Sequence, residues 1–331
     1  MTMHAIQIQT YGGPEVLVPA ELPTPEPGPG EVLVRTTASG VNFIDIYHRT
    51  GAYPQPLPFV PGVEGAGTIV AVGPDVTDLA VGDRVGWCNG MGSYADYVKL
   101  PAAHVVSLPD GVSDELAAAA MLQGATAHYL THASYPVRPG DTVLVHAAAG
   151  GTGQLVTQYA HALGARVIAT VSTDEKEAVA RAAGADEVLR YDDDVPKEVR
   201  RLTDGEGVAA VYDGVGRATF DASLASLAIR GTLVTFGSAS GVVAPVDIAR
   251  LAQGSFFVTR PSVGHYLRTP EERAERLGDV LARLADGSLR VTITERFPLA
   301  EAAAAHTALA SRRTTGKLVL THSDTNHTEG T

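Results

Sequence analysis

The segment His146-Ala-Ala-Ala-Gly-Gly-Thr-Gly153 places three glycines among residues 150 to 153, just after the apolar run Thr142 to Val145 and just before an amphipathic segment. A strand that hands over to a helix without side chains lets backbone N–H groups approach an anion, and the positive end of the helix dipole offsets its charge. Ala148-x-Gly150-x-x-Gly153 has the spacing of the dinucleotide fingerprint, with alanine in its first position. The chemistry implied is the seating of a pyrophosphate on Gly150, Gly151 and Gly153. A tight turn with no ligand is the alternative, but a preceding strand, a following helix and a second strand within roughly 30 residues argue against it. A phosphate loop ending in Gly-Lys-Ser/Thr is absent, and Gly237-Ser-Ala-Ser-Gly241 fails as a serine-hydrolase elbow because Ala239 is central.

The second strand of such a unit ends beside the adenosine ribose, where an acid selects NAD. Here it ends Val171-Ser172-Thr173-Asp174-Glu175-Lys176. Asp174 and Glu175 could serve as that acid, yet Ser172-x-x-Glu175 also fits a capping box, which turns the acids toward a helix start. Lys176 then lies one turn in, able to neutralise a 2′-phosphate to which Ser172 could donate. These local features favour NADP over NAD.

Elements that position these residues follow from the wider pattern. Strands are expected at Thr142 to His146, Arg166 to Val171, Glu187 to Leu189, Val208 to Asp213, Gly231 to Gly237 and Ser255 to Thr259. Helical segments lie between several of them, such as Gln154 to Leu163, stopped by Gly164. That alternation predicts a doubly wound parallel sheet, the Rossmann arrangement. The first third instead reads as short β segments around Glu31, Gly67, Val81 and Ser93, and a helix capped by Ser113 joins the two regions. After about residue 266, a charged helix, a strand, an alanine-rich helix and the strand Lys317 to His322 are expected to return to the β-rich domain. The polar tail, 323–331, is expected to be disordered.

Composition narrows the function classes. The chain has 331 residues, 45% hydrophobic and 19% charged, and a length that favours two domains. Its formal charge of −12 repels nucleic acid phosphates and anionic membranes. Nothing approaches the roughly 20 apolar residues of a membrane span. The amino terminus lacks the regions of a secretory signal, so a cytoplasmic location is expected. A single cysteine, Cys88, can form neither an internal disulfide nor a multi-thiolate zinc site.

Long ordered stretches carry a resemblance: YGGPEVL at 11 to 17, GVNFIDIYHRTGAYP at 40 to 54, PGVEGAGTIVAVG at 61 to 73, HAAAGGTG, VYDGVG at 211 to 216, FGSASG at 236 to 241 and FVTRPS at 257 to 262. Over nearly its whole length the chain is similar to the zinc-independent quinone oxidoreductases, zeta-crystallin-like members of the medium-chain dehydrogenase/reductase superfamily. The resemblance implies an α/β protein: a GroES-like catalytic domain (1–125 and 267–322), a Rossmann NADP-binding domain (126–266), NADPH in the cleft, and commonly a homodimer. Zinc-dependent relatives place a catalytic histidine in a Gly-His-Glu pattern. Here Val63 takes that position between Gly62 and Glu64, and Cys88 has no thiol partners. A quinone suits metal-free reduction, because its reduced oxygen is a weaker base than an alkoxide and needs no Lewis acid.

The same resemblance implies roles for particular residues. Asn42 lies near the nicotinamide ribose with Asp45 behind it, Tyr53 and Gln123 line the acceptor site, and Thr126 approaches the cofactor. Ser172, Lys176 and Tyr191 surround the 2′-phosphate. Gly214, Phe236 and Ser240 follow strands at the ligand-binding edge, and Phe257, Arg260 and Arg312 are further cofactor contacts. From the residues alone, Asn42 and Asp45 could equally be caps, Tyr53 could pack in a turn, and Arg312 could belong to a solvated basic run. The function implied is reduction of a quinone or conjugated carbonyl by NADPH, with an enone or alkene reductase and a non-catalytic NADPH-binding protein as alternatives. Lys176→Ala is expected to weaken NADPH binding far more than NADH binding; equal losses in titrations with both would refute the 2′-phosphate assignment.

Overall fold

Runs rich in valine and isoleucine, cut by proline and glycine, form the first strands. The computed structural model describes residues 1–322, so the expected disordered tail, 323–331, lies outside the described residues. In chain order come β1 (Thr2–Gln7), β2 (Val18–Pro23), β3 (Glu31–Val41), α1 (Phe43–Arg49), β4 (Glu64–Val72), β5 (Arg84–Cys88), β6 (Tyr97–Pro101) and β7 (Val105–Ser107). Helix α2 (Asp114–Tyr129) follows, with the Ser113 hydroxyl accepting from the Leu116 amide at 3.2 Å as its expected cap. It runs on into one π-helical turn, Leu130–Ser134.

The alternating region then supplies β8 (Thr142–Val145), α3 (Gly151–Ala162), β9 (Arg166–Val171), α4 (Asp174–Ala182), β10 (Glu187–Arg190), α5 (Val195–Leu202), β11 (Val208–Asp213), α6 (Phe220–Ser226), β12 (Leu227–Thr235) and β13 (Phe257–Thr259). The chain closes with α7 (Val263–Tyr266), α8 (Pro270–Asp286), β14 (Ile293–Pro298), α9 (Ala302–Ala310) and β15 (Lys317–Thr321). Two compact units result, one built from Met1–Leu122 with the residues from Thr269 onward, the other from Gln123–Arg268.

In the first unit β3 carries the architecture, because it changes partners along its length. Residues 31–35 pair with β6 and residues 38–41 with β15, while β4 runs along its other side. Strand order is β14-β15-β3-β4-β5-β7. The C-terminal strand thus completes the sheet that the N-terminal third begins. Alternate residues Val32 and Val34, with Ile69, Val85, Trp87, Val98 and Leu100, fill one core of this unit. A second core gathers Ile6, Val41, Tyr94, Phe297, Leu318 and Leu320.

The second unit is a six-stranded sheet in the order β10-β9-β8-β11-β12-β13, with every pairing parallel. This is the doubly wound Rossmann order, whose strand direction of growth reverses between β8 and β11; ligands of such sheets bind at that switch point, beyond the carboxyl ends of the strands. Leu144, Ile168, Val211 and Leu233 pack under α5 and α6 with Val199, Phe220 and Leu224. Some boundaries differ from expectation. Helix α3 starts at Gly151 rather than Gln154, because the glycine loop itself forms the first turn. Strand β12 begins at Leu227, before Gly231, and accommodates Arg230 at φ 63°, while β13 begins only at Phe257 because Ser255 is left-handed at φ 52°.

Candidate functional site

At the carboxyl edge of β8, Gly150 occupies the N-cap of α3 in extended conformation (φ −76°, ψ 162°) and no side chain caps the helix. The first N–H groups of a helix have no partner within it, so this terminus is a ready anion seat. A Cβ on Gly153 would lie 2.9 Å from the Ala147 carbonyl carbon and the Ala148 Cα, and one on Gly151 would lie 2.7 Å from the Gln123 side-chain amide. The third glycine therefore permits the close approach of helix to strand, and Gln123 sits directly over the loop. A dinucleotide fits this cradle: with no side chains on its glycines, the loop leaves the amides at the head of α3 as backbone donors.

Beyond β9 the structure corrects one expectation. Thr173, not Ser172, caps α4: its hydroxyl accepts from the Lys176 amide at 3.3 Å, because β9 ends at Val171 as expected but the turn after it is one residue longer than the capping-box reading assumed. Ser172 remains exposed and Lys176 half-buried at the third helical position. Glu175 is held below the usual carboxylate range, first by a backbone hydrogen bond and then by Thr173. Arg190, which sequence reasoning missed, stands beside them at the end of β10, donating to the Thr173 carbonyl, Asp174 and Glu177, each at 2.6 Å. Its only signal was a basic residue adjoining Tyr191. The Tyr191 hydroxyl accepts from the Ala147 amide at 2.8 Å, which ties the third strand to the glycine loop.

Further along the edge, the Phe236 ring covers Gly214, where a Cβ would approach it to 2.9 Å, and the Phe236 amide donates to the Asp213 carbonyl at 2.9 Å. The Ser240 hydroxyl donates to the Val215 carbonyl at 2.8 Å and accepts from the Ala218 amide at 3.0 Å, so it braces the turn after β11. Arg260 reaches the carbonyls of Thr235 and Gly237, each at 3.2 Å, and the Ser238 hydroxyl at 3.1 Å. Thr126 lies half-buried on α2. Phe257 stands apart from these, 61% exposed on the outermost strand.

In the first unit Asn42 is the N-cap of α1 and only 4% exposed. Its backbone amide donates to Asp45 at 2.9 Å, its side-chain amide donates to Glu64 at 2.8 Å, and its side-chain oxygen accepts from Lys317 at 2.7 Å. Lys317 also pairs with Glu64 at 2.5 Å, both groups fully buried, and the second Glu64 oxygen accepts from the Leu122 amide at 2.6 Å. A buried ion pair is costly unless both ions are hydrogen-bonded, as these are. Together they clamp the Asn42 side chain in one orientation. Lys317 had no local signal, since its partners lie at the other end of the chain.

Asp45 is wholly buried and accepts also from the Tyr94 hydroxyl at 3.2 Å. Tyr94 in turn contacts His306 at 3.1 Å, and His306 faces Arg49 at 3.4 Å. Burial pushes the Asp45 carboxyl up to about 7, against the lowering effect of the Asn42 amide and Lys317. It likewise drives His306 down to about 3, with Arg49 adding to the shift. Tyr53, 42% exposed, packs edge-on to Tyr47 at 5.2 Å. Arg312 lies on an exposed left-handed turn at φ 58° after α9, away from this cluster's buried groups.

The donor set does not fit a zinc ion. Val63 supplies no ligand, and burial pushes the Cys88 thiol up to about 12, which keeps it protonated. Glu64 is engaged by Lys317, and no group of three or more histidine, cysteine, aspartate or glutamate side chains among the described residues could hold a metal ion.

A GroES-like β domain joined to a Rossmann sheet whose first helix starts on bare glycines defines a nicotinamide-dependent medium-chain dehydrogenase or reductase. Family comparisons agree: residues 28–110 match the alcohol dehydrogenase GroES-like domain and residues 151–282 the zinc-binding dehydrogenase domain. The chain is 49% identical to a quinone oxidoreductase of Pseudomonas aeruginosa, over 95% of this chain and 98% of that one. It is 42% identical to a 2-haloacrylate reductase of a Burkholderia species, over 97% and 99%. Among solved structures, a mycobacterial protein, Rv1454c, complexed with NADPH superposes with a TM-score of 0.94 at 52% identity, over 96% of this chain and 100% of that one. The chain belongs to the quinone oxidoreductase family of the medium-chain dehydrogenase/reductase superfamily.

The Asp45 shift has a consequence for stability. The unfolded chain releases this proton near the ordinary aspartate value of 3.8 and the folded chain near 7. Stability from the protonated form is therefore complete below about pH 4 and lost as pH rises toward 7. Asp45→Asn, which cannot ionise, should flatten that decline; urea unfolding across this range, giving the same slope for both proteins, would refute it.

Proposed function

We propose that this protein is an NADPH:quinone oxidoreductase working without a metal. The observation that carries this reading is the glycine-capped start of α3, an anion seat at the switch point of a Rossmann sheet. Bound NADPH supplies a hydride from C4 of its nicotinamide to the quinone. The chain's own residues bind and orient. Backbone amides at Gly151 and Gly153 meet the diphosphate, and Gly150, whose own amide donates to the Ala147 carbonyl, leaves room beside it. Ser172, Lys176 and Tyr191 receive the 2′-phosphate, beside Arg190, which is paired with Asp174 and Glu177. Asn42, immobilised by Lys317 and Glu64, holds the nicotinamide ribose side, with Asp45 fixing its backbone. Such fixed orientation keeps the reacting geometry without ordering cost at each turnover.

Thr126, Gly214, Phe236, Ser240, Arg260 and Arg312 complete the cofactor contacts in this reading, and Tyr53 and Gln123 face the acceptor. Ser240 and Arg260 act through the turns they brace, since their polar atoms bind neighbouring backbone. No helix among the described residues is long and apolar enough to cross a membrane, which accords with a cytoplasmic enzyme. A second reading, reduction of an activated alkene, draws on the relationship to the 2-haloacrylate reductase. Following NADPH oxidation with a panel of quinones and enones separates the two: turnover with quinones is expected, and stabilisation by NADPH without turnover of any acceptor would sink the enzymatic reading.

The outermost strand of the Rossmann sheet supports a homodimer. Among the described residues β13 pairs only with β12 and so ends the sheet, and an open apolar edge invites a second copy. Phe257 and Val258 lie on it, 61% and 38% exposed, and Ile229 and Ile248 in the same unit are 77% and 79% exposed. Phe257 therefore suits an interface better than the cofactor. Phe257→Asp is expected to shift sedimentation from dimer to monomer; a wild-type protein that sediments as a monomer would overturn the assembly.

A further inference from the structure

Four neighbouring strands of the Rossmann sheet end in polar groups that join one another below the ligand-binding edge. Asp213, at the end of β11 and wholly buried, accepts from the Ser223 hydroxyl at 2.8 Å, and also from the Thr219 hydroxyl and the Val215 and Gly216 amides. His146, just past β8 and 1% exposed, lies with Nε2 3.0 Å from Ser223 Oγ and Nδ1 2.8 Å from Thr170 Oγ1 on β9. Thr170 is hydrogen-bonded to the Tyr191 hydroxyl after β10, which accepts from the Ala147 amide.

Donor and acceptor chemistry fixes the direction of this chain from Asp213 to Thr170. A carboxylate only accepts, so Ser223 spends its proton on Asp213 and can only accept from His146. The imidazole must then carry its proton on Nε2, which leaves Nδ1 to accept from Thr170. Thr170 also meets the Tyr191 hydroxyl, whose oxygen accepts from the Ala147 amide. Burial holds His146 below its usual range despite the opposing pull of Asp213, in keeping with the neutral ring this order requires. A second proton on Nδ1 would face the Thr170 hydroxyl and reverse that bond.

Ala147 is the residue with reason to need such a hold. It is a non-glycine residue in the left-handed region, at φ 52°, three residues before Gly150, and its carbonyl accepts from the Gly150 amide at 2.9 Å. Left-handed geometry at alanine persists only where surroundings impose it. At the far end, Asp213 shapes the turn that contains Gly214.

We propose that the chain Asp213–Ser223–His146–Thr170–Tyr191 is a positioning device that sets the glycine loop for the diphosphate and couples it to the turn after β11, with His146 and Thr170 as positioning residues. It deepens the reading of the loop as the NADPH seat and rests on it. The ends of the chain lie on opposite sides of the switch point, so one wire, buried from Asp213 to Thr170, fixes both banks of the site.

Thr170→Val removes the hydroxyl at nearly constant shape, Thr170→Ser keeps it, and Tyr191→Phe cuts the last link. Hydrogen exchange of the Ala147 amide needs neither cofactor nor turnover, so it tests the wire even if the protein should fail to bind NADPH. Thr170→Val and Tyr191→Phe are expected to speed that exchange and, with a near-native melting point, to weaken NADPH roughly tenfold, the scale of one lost hydrogen bond. Thr170→Ser is expected to restore both, and NMR of His146 to show Nε2 protonated. Unchanged Ala147 exchange in Thr170→Val, equal losses in Thr170→Ser, or an Nδ1 tautomer would overturn the proposal. Failure of the wild type alone to bind NADPH would instead overturn the reading of the loop.

Discussion

A helix that starts on glycine presents backbone N–H groups that no side chain of its own can satisfy. At the head of α3 that deficit coincides with the switch point of a parallel sheet, so the unpaired donors collect where strands on either side diverge. Much else in the second unit serves this arrangement. Gly153 allows the helix to lie close against the strand end, Gln123 and Tyr191 approach from two sides, and the polar residues at four strand ends hold the loop from below. Removing charge from the ligand would remove the reason for such a surface, since bare amides gain most from an anion.

The first unit solves a different problem, that of holding one small amide still. Asn42 follows a strand that serves partners from both ends of the chain, and its side chain is gripped by Glu64 from β4 and Lys317 from β15. Burying an ammonium and a carboxylate together is justified physically when each is fully hydrogen-bonded and the outcome is a fixed geometry. Asp45, Tyr94 and His306 extend that polar lattice behind the helix, and burial drives Asp45 and His306 toward their neutral forms. Dry surroundings and fixed dipoles are what a hydride transfer without a metal requires.

Family membership and geometry meet at the position of the lost ligand. Val63 stands where zinc-using relatives carry histidine, and next to it Glu64 turns to Lys317 instead of a metal's shell. That substitution links the acceptor chemistry to the fold: a quinone needs orientation more than it needs a Lewis acid.

Periodicity and turn residues sufficed for the six central strands, the Ser113 cap and the glycine loop, because each depends on neighbours within a few positions. They sufficed also for the absence of a multi-thiolate metal site, which follows from counting cysteines. Local pattern misplaced the cap of α4 by one residue, since Ser172 and Thr173 are chemically equivalent candidates and only the length of the turn after β9 chooses between them. Lys317, Arg190 and His146 could not be found that way. A lysine opening a strand, an arginine closing one and a histidine before glycines read as ordinary residues until the sheets bring their partners from distant positions, and those long-range pairings are set by the packing of whole strands.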